Sequence, residues 1–331
     1  MAPERRAQGT PWRAGRVRAL VTLALGAVAA GCGATVPFGG VEADAPAALP
    51  AALTGQDLLP ADLDLVLRFD LGALREGLGA EPLALVRERA SPRGEQALVA
   101  GALEKGAVAW LGLRVVDARA GDRVLVVETS AREAPEIGRF RKVENPGPDL
   151  EVYRRAGEVE RDGVALVALV GERDVVFASP VEAASVARVM RAGPDEGRGD
   201  PAAEGLVSLD WNAARAAKGL GRYPSLAKLM RGVERVRATL RPSGSDVVLE
   251  ARIRCRGATE ADRVGRFLEA IRDVARERPR FAGLFAALEL TPSDDTLVVR
   301  WTLPPAALFA LVREPPELEA PVAEPVPDGR P

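Results

Sequence analysis

The sequence contains no histidine. That removes the commonest general base and the commonest transition-metal ligand. Nucleophile systems of the Ser-His-Asp and Cys-His kinds are excluded with it. Cysteine occurs only at Cys32 and Cys255. Aromatic residues make up 4% of the chain, which argues against a sugar site built on stacked rings. Lysine is confined to Lys105, Lys142, Lys218 and Lys228, so basic character is carried almost wholly by arginine. Neither G-x-x-x-x-G-K-[ST] nor G-x-G-x-x-G occurs, so no phosphate loop or dinucleotide fingerprint is expected. The apolar run Ala19 to Ala30 is twelve residues long. As a helix it would cover roughly 18 Å, short of the ~30 Å hydrocarbon core of a bilayer.

That run has a specific setting. Arg5, Arg6, Arg13, Arg16 and Arg18 precede it against the single acid Glu4, and Ala29-Ala30-Gly31-Cys32 follows it. A basic segment, a short apolar segment and a small-residue exit describe a cleaved export signal rather than a span. Leu20, Val21, Leu23, Leu25 and Val28 leave no polar face for a buried amphipathic helix. The segment resembles the lipobox of bacterial lipoproteins, with Ala29 where that family prefers Leu. The resemblance covers residues 1 to about 33. It implies that residues 1–31 are removed and that Cys32 is acylated as the first mature residue. The multiple acyl chains of that family would give durable membrane attachment, which one chain does not. Gly33 rather than Asp after the cysteine implies transfer to the outer membrane, facing the periplasm.

Loss of residues 1–31 takes five Arg and one Glu from 45 basic and 47 acidic residues, leaving a net charge of −6. A mildly acidic chain of this kind has no general attraction for nucleic acid. With Cys32 committed to lipid, Cys255 has no disulfide partner and falls on the apolar phase of a strand, as a small buried hydrophobe. Residues 32–60 are rich in Ala, Gly and Pro and read as a flexible tether. Residues 315–331, Pro-rich and acidic, read as a disordered tail. The stretch 193–204 reads as a loop between two α+β halves, 61–192 and 205–314.

The halves resemble each other. LVLRFDLGALR (65–75) and GLVSLDWNAAR (205–215) each give an alternating strand, an Asp and a helical start. This pairs Asp70 with Asp210, both as helix N-caps. IGRF (137–140) and VGRF (264–267) are expected in corresponding helices. Two matches in the same order favour an internal duplication. In the second half, alternation on both sides of Pro242–Asp246 predicts a β-hairpin. A helix is expected over 259–276, capped at Thr259 and stacking Val264, Phe267, Leu268, Ile271 and Val274 on one face. A strand over 296–303 and a closing helix from Pro304-Pro305 follow. Strands of the first half are expected near 64–70, 107–116, 123–130, 150–155, 164–170 and 174–178, and Ser179-Pro180-Val181-Glu182 as a capping box that opens a helix. The fold class is α+β: two related halves of mixed, mainly antiparallel sheet with packed helices.

Candidate chemistry is sparse. Ser225 and Lys228 make an S-x-x-K, but the S-x-N and K-T-G that accompany it in penicillin-recognising enzymes are missing, so an exposed helix segment is expected. Arg198-Gly199-Asp200 spells an adhesion tripeptide in a loop where those residue types abound. The pairs Asp62/Asp64 and Asp294/Asp295 lack the spaced oxygens of a calcium loop and read as turns. The distinctive feature is an arginine face. Strand alternation places Arg235, Arg237 and Arg241 opposite in phase to Val236, Ala238 and Leu240. It places Glu250, Arg252, Arg254 and Arg256 opposite in phase to Leu249, Ala251, Ile253 and Cys255. Two readings of this face stand: a surface for an anionic envelope polymer, phosphate-bearing lipid or acidic envelope protein, or a solvated face paired with the chain's own acids. For the whole chain the expectation is a membrane-anchored, non-enzymatic binding or scaffolding lipoprotein without a cofactor or metal. The alternatives are, first, a carrier holding a lipid or small apolar ligand in a groove between the halves and, after it, an enzyme that works without histidine.

Overall fold

Alternating apolar residues pair into long antiparallel ladders, and one such ladder sets the plan of the molecule. The computed structural model describes residues 35–36, 53–82, 84, 95–116, 119–130, 140–143, 149–157, 159–161, 163–220, 224–277 and 282–313. The strands are β1 (Thr35–Val36), β2 (Leu65–Asp70), β3 (Gly106–Val116), β4 (Arg119–Thr129), β5 (Phe140–Lys142), β6 (Leu150–Arg155) and β7 (Val159–Glu160). They continue as β8 (Leu166–Val170), β9 (Asp174–Ala178), β10 (Val207–Trp211), β11 (Val233–Ser243), β12 (Asp246–Cys255), β13 (Leu288–Ser293) and β14 (Thr296–Leu303). The helices are α1 (Leu71–Leu78), α2 (Glu95–Lys105), α3 (Ala183–Ala192), α4 (Ala213–Ala216), α5 (Pro224–Arg231), α6 (Ala258–Arg276), α7 (Ala282–Ala286) and α8 (Pro305–Arg313). Two 3-10 helices, Gly55–Leu58 and Ala217–Leu220, complete the described elements.

Twelve of these strands form one antiparallel sheet in the order β13-β14-β12-β11-β10-β2-β3-β4-β9-β8-β6-β5. The halves meet edge to edge where β10 pairs with β2, Leu209 opposite Leu67. A two-fold axis through that pair equates residues of the first strands at a constant offset of 142. The hydrogen bonds obey it. Asp64 N donates to Leu113 O as Leu206 N does to Leu240 O, and Asp70 N to Leu206 O (3.0 Å) mirrors Asn212 N to Asp64 O (2.8 Å). An ion pair is repeated too, Arg114 with Asp62 at 2.8 Å and Arg241 with Glu204 at 3.3 Å. The halves are therefore related by a local pseudo-two-fold, but its register differs from the sequence match by two residues. Asp70 caps α1 by accepting from Ala73 N, and the equivalent cap is Asn212, accepting from Arg215 N. Asp210 lies within β10 and corresponds to Arg68.

The sheet has two unlike faces. Face A carries Leu65, Leu67, Phe69, Leu111, Leu125, Phe177, Leu240, Ala251 and Val299 in a single apolar cluster that spans both halves. Helices α1, α2 and α4 to α7 contribute Leu74, Leu103, Ala213, Met230, Val264 and Phe285 to it. Face B of the first half is apolar as well. Val66, Val124, Val126, Ala168 and Val176 pack there against Leu53, Leu58, Leu59 and the α3 residues Val186 and Met190. With both sheet faces covered, β8 reads as an unbroken buried run. Face B of the second half has no such cover among the described residues; Arg237, Glu250, Arg252, Arg254 and Arg300 stand exposed on it.

Several local expectations need correction. Leu58 and Leu59 are fully buried, so the body begins at about residue 53, inside the stretch expected as tether. Residues 35–36 also pair, with β7. Burying several leucines against the valines of face B outweighs the Ala/Pro composition of that stretch. Residues 137–139 lie outside the described residues, and Phe140 opens strand β5 rather than lying in a helix. Helix α6 starts at Ala258 with Gly257 as N-cap and no side-chain cap, and its expected stripe is split, Val264 buried but Phe267 38% and Val274 40% exposed. The Ser179 box does not form: Ser179 Oγ accepts from Arg123 N, and the buried Glu182 carboxylate turns to Arg114. Tertiary partners outcompete the local cap there. The hairpin turn is as expected, Ser243 opposite Asp246, with φ +62° at Gly244 as the first of two loop residues. Asp294, at φ +48°, makes the corresponding turn between β13 and β14.

Candidate functional site

The arginine face resolves into a quartet and two outliers. Arg235 lies opposite Arg254 and Arg237 opposite Arg252, so four guanidinium groups occupy two adjacent rungs of the β11–β12 ladder on face B. Arg241 stands four residues along β11 from Arg237 and belongs to the repeated ion pair with Glu204. Arg256 lies beyond the end of β12. The six thus do not form one patch.

Asp210 anchors the quartet. Its side chain is 1% exposed, on the neighbouring strand β10 and opposite Arg237. Arg235 grips it with both prongs, Nε to Oδ1 at 2.5 Å and Nη2 to Oδ2 at 2.5 Å. Asp200 N donates to Oδ2 at 2.9 Å. A carboxylate so buried is tolerable only when paired and hydrogen-bonded. In return, its hydrogen bond raises the pKa of Arg235. Arg237 Nε stands 3.6 Å from Oδ2, an ion-pair distance too long for a hydrogen bond. Arg254 meets Glu234 at 3.3 Å, both well exposed. Alternation revealed the arginines but not Asp210, whose place in the strand was masked by its likeness to a helix cap; its phase, shared with Arg235 through the pairing of β10 and β11, was the available signal.

The other candidates are structural. Arg198-Gly199-Asp200 is folded against the body rather than displayed. Arg198 pairs with Asp57, Gln56 Nε2 donates to Gly199 O and Asp200 Oδ1, and a Cβ at Gly199 would meet Val66 Cγ2 at 2.6 Å. Lys228 is exposed on the two-turn helix α5. Burial pushes the Cys255 thiol up to about 11, so it is protonated and inert at neutral pH. Asp62 and Glu182 both receive Arg114, at 2.8 Å each, and this clamp docks the start of α3 onto face B. Burial raises Glu182, and Arg114 opposes that rise. Asp294 and Asp295 occupy a hairpin turn. Cys32 lies outside the described residues. Between the halves, where the carrier alternative would place its groove, β2 and β10 are joined by antiparallel main-chain pairing. No described helix is long and apolar enough to cross a membrane.

Fold and site together define an α+β protein of two pseudo-symmetric halves with an arginine-rich patch on the bare face of one of them. No protein-family model matches the chain, and no curated protein sequence does. Solved structures similar to it include three crystal forms of TP0453. Form I is 10% identical with a TM-score of 0.49, covering 80% of this chain and 98% of TP0453. Form III is 11% identical with a TM-score of 0.45, covering 78% and 98%. Form IV is 11% identical with a TM-score of 0.45, covering 78% and 96%. At that level of likeness no property of TP0453 passes to this chain.

Proposed function

We propose that the chain is a bacterial envelope lipoprotein, held by lipid on Cys32 in the outer membrane with its body facing the periplasm. Its role is to bind or scaffold another envelope component rather than to catalyse. One observation carries the reading: the sequence Ala29-Ala30-Gly31-Cys32 directly after a basic and then a short apolar segment. The exposed guanidinium groups of Arg237, Arg252 and Arg254 support a binding role for anionic groups, since planar N–H donors match carboxylate and phosphate oxygens. Mass spectrometry of membrane-extracted protein should find an acylated amino terminus at Cys32. Replacement Cys32→Ser should leave an unprocessed precursor. A processed, membrane-held Cys32→Ser protein would overturn the anchor.

A further inference from the structure

We propose that the bare part of face B is the docking surface for the chain's own acidic tail, residues 314–331, which lies across Arg237 and Arg252 and must be displaced by any external anion. The inference deepens the binding role given above to this face.

Arg252 is the least satisfied member of the quartet. Its direct neighbours across the sheet are Arg237 on β11 and Val298 on β14, and neither is an acid. No ion pair holds it among the described residues. Arg237 is 57% exposed, and the nearby Asp210 is already committed to Arg235 and Asp200 N. Like charges directly opposite across a ladder are unfavourable unless an anion sits between them.

The fold does not require arginine at these positions. Leu111 is equivalent to Ala238, and Leu125 to Ala251, through the pairings that flank the seam. Arg237 and Arg252 therefore correspond to Trp110 and Val126 of the first half. Those two pack in the cluster covered by Leu53, Leu58 and Leu59. The same backbone positions are thus apolar under a permanent cover in one half and cationic in the other.

The tail has the matching chemistry and reach. It carries Glu314, Glu317, Glu319, Glu324 and Asp328 against the single base Arg330. Its six prolines favour an extended chain with little freedom to lose on docking. The tail follows α8, which follows β14, and β14 ends with Leu303 beside Val247. Helix α8 packs on face A through Leu308, so the tail must first pass the end of β14 to reach face B. From Val247 to Arg252 is then about 17 Å along the strand, and the tail's eighteen residues, up to about 60 Å extended, cover both. Tethering raises its local concentration to the millimolar range, so a few exposed ion pairs suffice.

The test uses the full-length chain with all five tail acids changed to their amides, Glu314, Glu317, Glu319 and Glu324 to Gln and Asp328 to Asn. Phenylglyoxal modification of Arg237 and Arg252 is followed by peptide mass spectrometry. The amide variant should react about two- to fivefold faster at both residues, as loss of a few exposed ion pairs implies. High salt should bring the wild-type chain to the same rate, and tripolyphosphate should bind the amide variant more tightly than the wild type. Equal rates in the two chains overturn the proposal. So does protection that depends on protein concentration, which would make a second copy the occupant. Protection by phosphatidylglycerol vesicles that is equal in both chains also overturns it, because the face would then be open to a membrane without displacement. Anchoring plays no part in these measurements, so failure of the lipid reading leaves their outcome unaffected.

Discussion

Asp174 is a carboxylate held where its charge is poorly tolerated. It sits at the start of β9 opposite Glu128, whose own charge is answered by Arg173 at 2.6 Å. Asp174 Oδ1 is buried without a hydrogen-bond partner. Burial, then the negative charge of Glu128, push its pKa to about 6. The sign of the pH effect follows. Between about pH 4 and 6 the folded chain keeps a proton that the unfolded chain has released, so stability falls as pH rises through that window. The penalty is complete above about pH 6 and absent below about pH 4. Asp174→Asn should therefore stabilise the protein at pH 7 by about 1–2 kcal/mol, less than the roughly 3 that the full shift represents because water reaches part of the group. Urea titrations of the variant and the wild type at pH 4 and pH 7 check this: the gain should vanish at the lower pH.

Among the elements, the two strand-to-helix junctions test the duplication. Asp70 and Asn212 each accept from the N–H three residues on, so Asp70→Ala and Asn212→Ala should each cost about 1 kcal/mol in a denaturant titration. Asp210→Ala should act differently, by stripping Arg235 of its partner, at a cost of about 1–3 kcal/mol. Equal small losses at all three would contradict the register. The hairpins, the main strands and the α+β class were legible because period-two alternation depends on burial, which acts through the whole ladder. The cap register was not, because Asp and Asn serve equally as caps and the two Asp residues offered a better letter match than the true pair. The extent of the body was missed for a related reason: Leu53, Leu58 and Leu59 show no period of their own, and only the apolar face waiting for them makes them core. Within the site, the arginines were legible from phase, but which of them are free depends on Asp210, Glu204 and Glu234, brought close by pairing and turns that composition does not encode.

At the scale of the whole molecule, the continuous sheet and the face A cluster that spans the seam make the halves one cooperative unit. Heating should give a single calorimetric transition whose enthalpy matches the van't Hoff value. Two resolved transitions would mean that β2 and β10 part without cost to either half. The position of β2 also has a mechanical side. The chain enters the body through Leu53–Leu59 and passes directly into β2, sixth of the twelve strands, flanked by β10 and β3. A load applied upstream of residue 53 runs along β2 and must shear both neighbouring ladders together, whereas a load on an edge strand would unzip rungs one at a time. The two-residue pairing of β1 with β7 and then the short 3-10 segment on face B yield first, peeling away as fuses while the sheet behind them stays whole.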